Sequence, residues 1–116
     1  MSSNKFGARA MRDEEGRFFA SQREYSRWLE LKLLERAGEI SALTRQPRYM
    51  LQESFLDMDG VRIGAITYTP DFQYVASGQL CVEDVKSPAT ARRADYRIRV
   101  KLFKKRYPHI RFVESE

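Results

Sequence analysis

Pro70-Asp71 interrupts a segment that otherwise reads as a β-strand, with Ile66, Tyr68, Phe72, Tyr74 and Val75 around it. Further on, Asp84 and Lys86 interrupt a second such segment, whose other members are Leu80, Cys81, Val82 and Val85. These two interruptions constrain the fold more than any other feature of the chain. Proline cannot donate to a sheet ladder, so it implies a bulge or bend beside Asp71. A bend there aims the Asp71 carboxylate out of the ladder and towards the next strand, which Ser77-Gly78 turns back alongside. Strand side chains alternate, so Val82, Asp84 and Lys86 share one face and Glu83 takes the other. Charge gathered on a sheet is costly unless it is paired or holds a metal.

Two converging carboxylates suit a hard divalent cation, Mg2+ or Mn2+, which prefers oxygen ligands. A lysine beside them can orient an attacking water or neutralise charge building on a phosphate. The combination suits phosphodiester hydrolysis. The plain alternative is a cross-strand Asp–Lys pair at a sheet edge, worth ~0.2–1 kcal/mol. Spacing alone leaves both open.

Composition removes several other chemistries. Cys81 is the sole cysteine and His109 the sole histidine, so disulfides and Cys- or His-rich zinc sites are not supported. A Ser-His-Asp triad would have to use His109, beside Pro108. At 116 residues and 42% hydrophobic, the chain is long enough for one folded domain. No apolar run approaches the ~20 residues of a membrane span. The polar N-terminus has no apolar signal region, which predicts a cytoplasmic protein. No motif calls for an organic cofactor. The formal charge is +5, from 21 Lys and Arg against 16 Asp and Glu. The basic residues crowd 92–106, a density that suits a nucleic-acid partner. A solvated helix face is the plain reading of the same residues.

Residues 1–17 read as a flexible basic arm ahead of a single domain over 18–116, with Arg9, Arg12 and Arg17 able to touch phosphate. Ser21 to Ala37 reads as a helix, with Ser21 and Glu24 as a capping box and Gly38 as its stop. Tyr25, Leu29 and Leu33 form the expected core stripe, and Glu24, Trp28, Leu31 and Glu35 a second row. Tyr49–Leu56 alternates as a first strand, Asp57–Gly60 is a hairpin turn, and Val61–Val75 reads as one long second strand. Leu80–Lys86 is the third. A helix over about 90–107 carries two apolar stripes: Ala91, Ala94, Ile98 and Leu102, against Tyr96, Val100, Phe103 and Tyr107. They lie on nearly opposite sides, so one must find a second partner. Two basic rows flank them: Arg93, Arg97, Lys101 and Lys104, and Arg92, Arg99 and Arg106. Lys105 adds to the same segment. A short last strand follows. The order α-β-β-β-α-β predicts an α/β fold, a mixed central sheet of about four strands with flanking helices, ending in a parallel crossover.

Pro70-Asp71 followed by Asp84-Val85-Lys86 resembles the Pro-Asp…(Asp/Glu)-x-Lys signature of the restriction-endonuclease-like nuclease superfamily. Ser21-Gln22-Arg23-Glu24, Gly38-Glu39-Ile40 and Gln46-Pro47 resemble the stretches that precede the signature in its transposase-end and junction-resolving members. More narrowly, Lys5-Phe6-Gly7, Leu31–Leu34, Ala65–Tyr68, Lys101-Leu102-Phe103 and Tyr107-Pro108 are similar to a family of short phage and prophage proteins that carry a domain of unknown function. The resemblance implies a restriction-endonuclease-like core and a Mg2+- or Mn2+-dependent DNA endonuclease, with branched DNA or a four-way junction among its expected substrates, expressed in a bacterial host. It implies metal held by Asp71, Asp84 and the Val85 backbone carbonyl, with Lys86 catalytic. Glu24 is a metal ligand or a helix cap. Arg93, Arg97, Lys101, Lys104 and Lys105 are the expected DNA contacts. Junction-resolving members are commonly dimers, which would cover the spare apolar stripe. The alternatives are a non-catalytic nucleic-acid-binding module with a relic nuclease fold, and an interaction protein that binds an acidic partner.

Overall fold

The computed structural model describes residues 10–116. Lys5, Phe6, Gly7 and Arg9 therefore lie outside the described residues. The elements run β1 (Met11–Arg12), β2 (Phe18–Phe19), α1 (Gln22–Arg36), β3 (Ile40–Arg45), β4 (Tyr49–Gln52), β5 (Phe55–Leu56), β6 (Arg62–Ile63), β7 (Ile66–Tyr68), β8 (Phe72–Ala76), β9 (Gln79–Val85), α2 (Pro88–Ala91), α3 (Ala94–Arg106) and β10 (Arg111–Ser115).

The central sheet has four strands in the order β10-β9-β8-β3. β3, β8 and β9 pair antiparallel, while β9 and β10 pair parallel across α3. A mixed four-stranded α/β sheet is what the strand pattern predicted. Its edge strand, however, is Ile40–Arg45 and not Tyr49–Leu56. The bulge between Ser41 and Thr44, with Ala42 at φ 53°, breaks the alternation that would have marked β3 as a strand. The expected long strand 61–75 is also divided, into β6, β7 and β8. Ser77 and Gly78, both at positive φ, make the two-residue turn that returns β8 into β9.

Residues 49–68 instead form an arm. β4 pairs with β7, and β5 with β6 beyond them. Asp57 Oδ1 closes the tip by accepting the Asp59 and Val61 N–H groups, both at 2.9 Å. The base of the arm is bonded to α3. Arg106 donates to the Leu51 carbonyl at 3.1 Å and the Tyr107 hydroxyl to that of Met50 at 2.8 Å. Phe103, fully buried, meets Tyr49 and Tyr68 edge-on at 5.1 and 5.6 Å.

Two apolar clusters lie on opposite faces of the sheet, because the successive strand residues Cys81 and Val82 belong to different ones. α1 covers the first, with Trp28 stacked on Phe72 at 6.0 Å. α3 covers the second through Tyr96, Val100 and Phe103. Ser21 caps α1 by accepting the Glu24 N–H at 3.1 Å. At the other end Glu39 and Gly38 donate to Leu34 and Glu35, with Gly38 at φ 82°, so the helix stops there as expected.

The row that α1 buries is not the expected one. Trp28, Leu31 and Glu24 face inward, while Leu29 and Leu33 are 42% and 61% exposed. One residue turns a helix by about 100°, and the Trp28 ring takes the place opposite Phe72. The expected helix 90–107 is also split. Pro88 starts the short α2, and Arg93, in extended backbone, separates it from α3. Met11–Arg12 and Phe18–Phe19 form a small hairpin, in which Arg17 pairs with Asp13 at 2.8 Å and lies over Trp28. This part of the expected arm is therefore ordered against α1.

Candidate active site

The bend at Pro70 does what the sequence asked of it. It separates β7 from β8, and Asp71, immediately before β8, has its side chain turned to the neighbouring strand. The Asp71 N–H donates to Asp84 Oδ1 at 3.1 Å, and Asp71 Oδ2 accepts the Val85 N–H at 2.8 Å. The two acids are thus locked to one another's strands through main-chain hydrogen bonds. Asp84 is 1% exposed. Its second oxygen accepts a short hydrogen bond from the Tyr68 hydroxyl. Lys86 Nζ stands 3.7 Å from Asp84 Oδ1 and lies over the Tyr96 ring.

Glu24 reaches the same place from the first turn of α1. Its backbone N–H is capped by Ser21, while its carboxylate turns inward. The Glu24 carboxylate makes no return bond to the Ser21 N–H among the described residues, so the expected capping box is one-sided and the side chain lies in the site, against Arg45. Arg45 Nη2 stands 3.4 Å from Glu24 Oε2 and also donates to the Phe18 carbonyl at 2.8 Å. Its guanidinium lies 4.0 Å from the Phe19 ring centre.

Glu24, Asp71, Val85 and Lys86 line a pocket of about 170 Å3, walled by Arg23 and Thr90 among others. Lys86 and Thr90 also line an adjoining groove of about 430 Å3 that contains Asp84, Tyr68, Arg93 and Arg99. Burial, with the charges of Asp84 and Glu24 beside it, pushes the Asp71 pKa up to about 8; the Val85 N–H and Lys86 offset this only in part. Burial and Asp84 likewise push the Tyr68 hydroxyl far up, so it stays a proton donor to Asp84. Three carboxylates, Glu24, Asp71 and Asp84, thus lie close together, with Arg23, Arg45 and Lys86 around them.

That donor set fits a hard divalent ion. Asp71 and Asp84 offer carboxylate oxygens and Val85 a main-chain carbonyl on the same strand, and Mg2+ commonly keeps several waters beside one or two carboxylates. Among the described residues, no three His, Cys, Asp or Glu side chains form a ligand cluster by themselves. Glu24, held by Arg45, would be an outer member.

Glu83 is on the opposite face, as its alternation required. It is fully buried and accepts from Arg27 at 2.7 and 3.1 Å, from Tyr74 at 2.6 Å and from Ser115 at 2.8 Å. Burial works to raise its pKa, but these hydrogen bonds outweigh it and hold the carboxyl below the usual range.

The basic residues of α3 divide. Arg93 lines the groove beside Asp84 but pairs with Asp95 at 3.2 Å. Arg97, Lys101 and Lys104 line a second groove, beyond Tyr96. Lys105 is exposed. In the other row, Arg99 donates to the Thr67 carbonyl at 3.4 Å and Arg106 to that of Leu51, so these two brace the arm.

Arg45 and Tyr68 are site residues that the sequence did not single out. Tyr68 carries a usable signal, since it lies two residues before Pro70 on the strand leading to the bend. Arg45 carries none, because β3 was not legible as a strand.

A mixed four-stranded sheet with helices on both faces, bearing a buried acidic cluster at a proline bend, defines a small α/β domain with an acidic cleft. The chain belongs to the family described as "Protein of unknown function (DUF1064)", which it matches over residues 3–115. No curated protein and no solved structure matches it.

Proposed function

We propose that this chain is a Mg2+- or Mn2+-dependent DNA endonuclease with a restriction-endonuclease-like core. One observation carries the reading: Asp71 and Asp84 are locked together across β8 and β9, with Lys86 3.7 Å from Asp84. Asp71, Asp84 and the Val85 carbonyl would hold the ion, which would supply an activated water and stabilise the leaving oxygen. Lys86 orients that water or neutralises charge on the phosphate. Tyr68 fixes the orientation of Asp84. Glu24 is an outer ligand, reached once it is released from Arg45. The test is cleavage of duplex, flap, fork and four-way-junction DNA with each metal. Asp71→Ala and Asp84→Ala should abolish cleavage and leave DNA binding intact. Lys86→Ala should lower turnover far more than metal affinity. Cleavage by the wild type in excess chelator would overturn the reading.

The basic groove along α3 takes the DNA backbone. Lys101→Glu with Lys104→Glu should weaken DNA binding and reduce its salt slope by about 2, at roughly one per phosphate contact, without lowering the melting temperature. Unchanged affinity would remove α3 from the DNA surface. The chain works as a homodimer in this reading. Its support is the open stripe of α3, with Ile98 and Leu102 57% and 37% exposed, and the apolar arm tip, where Leu56 and Met58 are 58% and 98% exposed. Light scattering at micromolar concentration should give twice the chain mass, and a monomer with and without DNA would exclude it. The alternative, a binding module without catalysis, predicts DNA binding with no metal affinity.

A further inference from the structure

Arg23 brings to the acidic pocket a donor that no acceptor of the described residues meets. It precedes Glu24 in the first turn of α1 and lines the pocket with Asp71, Val85 and Lys86. Its Nη1 is buried and has no hydrogen-bond partner among the described residues. Lys86 is paired with Asp84, and Arg45 with Glu24 and the Phe18 carbonyl; the Arg45 Nε is unpartnered as well, but Arg45 does not line this pocket. A buried guanidinium nitrogen without an acceptor is rare and calls for one from outside the chain, a water or a ligand oxygen. The pocket has about 170 Å3, below the roughly 300–1,000 Å3 of a drug-sized ligand site. It suits a compact tetrahedral anion better than a base or sugar.

We propose that Arg23 is the phosphate anchor of this site, holding a phosphate group of the nucleic-acid strand across the pocket from Asp71. The assignment rests on the nuclease reading for its substrate, and on the unpartnered nitrogen for its chemistry. A guanidinium is suited to this task because its planar fork binds two phosphate oxygens at once. It would hold the phosphate in the pocket that Asp71 and Lys86 also line, within reach of the proposed chemistry. The phosphate can belong to an internal phosphodiester or to a 5′-terminal monophosphate; the chemistry at Arg23 is the same.

The test compares Arg23→Ala and Arg23→Lys with the wild type in the full chain. Removal of Arg23 breaks no hydrogen bond at Nη1, so the melting temperature should not fall. Calorimetric titration with Mg2+ alone should give an unchanged Kd. Cleavage of duplex DNA by Arg23→Ala should lose about 10–100-fold in kcat/KM, with Arg23→Lys recovering part of it. The salt slope of DNA binding should drop by about 1. A loss confined to substrates with a 5′-phosphate would assign the terminal group, and an equal loss on 5′-hydroxyl or circular DNA the internal one. Normal cleavage by Arg23→Ala would overturn the proposal while leaving the nuclease reading in place. A parallel loss of Mg2+ affinity would also overturn it, because Arg23 would then be ordering carboxylates. If the wild type cuts nothing, the nuclease reading falls, and the salt slope still decides: an unchanged slope in Arg23→Ala excludes a phosphate contact.

Discussion

Asp71→Asn should make the protein more stable and inactive at once. Asparagine keeps an oxygen for the Val85 N–H and removes the charge. Asp71 binds its proton in the folded chain up to about pH 8, against a usual value of 3.8. Between those limits the folded state holds more protons than the unfolded state, so stability falls as pH rises through the window. Above about pH 8 the carboxylate is ionised in both states and the whole penalty is present. The melting temperature of Asp71→Asn should therefore match the wild type near pH 4 and exceed it by roughly 4 °C or more at pH 8. Mg2+ should close that gap by stabilising the wild type alone, and its binding near pH 7 should release about one proton. Cleavage should fall at least about a thousandfold, some 4 kcal/mol of barrier. Thermal melts at four or five pH values, with and without Mg2+, check this. A variant that tracks the wild type at every pH would mean that Asp71 carries no penalty in the fold.

Glu83→Ala should do the reverse and damage the fold before the chemistry. Glu83 and Asp84 are adjacent acids on opposite faces of one strand. Glu83 is saturated by Arg27, Tyr74 and Ser115, whereas Asp84 has a tyrosine, a backbone N–H and a more distant lysine. Taking one partner from a buried ion pair costs about 3–5 kcal/mol. The Arg27 side chain is 28% exposed, so water recovers part of that and the lower end is expected. Urea denaturation of Glu83→Ala should show this loss. Replacing Arg27 and Glu83 together by methionine should return most of it, because no charge is left stranded. A Glu83→Ala variant of wild-type stability would show that the network contributes nothing.

The strands that carry Asp71 and Asp84 were legible because their signal is local. A proline in a strand, an alternation that puts Asp84 and Lys86 on one face and Glu83 on the other, and a Ser-Gly turn can all be read from a dozen residues. The parallel closing pair followed from the same logic. What could not be read depended on distant partners. The bulge at Ala42 hid β3, so Arg45 looked like a residue of a connection. Tyr49–Leu56 alternates as a sheet strand does, but its apolar face meets α3 and it joins the arm. Leu29 and Leu33 repeat at helical spacing as well as Trp28 and Leu31 do. Only the position of Phe72, more than forty residues away, decides which row is buried.

The β9–β10 pairing sets a clock on the protein. Ser115 accepts from the Lys86 N–H at 2.8 Å and donates to Glu83, 32 residues earlier. Parallel pairs across so long a separation form slowly, because the loop must close before any bond rewards it. Helix α1 and the β8–β9 hairpin need only near neighbours. At about 5–20 residues per second of synthesis, roughly 2–6 s separate the emergence of Glu83 from that of Ser115. Through that interval the strand bearing Asp84 and Lys86 has an open edge, and open edges pair with other chains. The last strand to arrive thus ends the period of greatest aggregation risk in the same step that fixes the cleft.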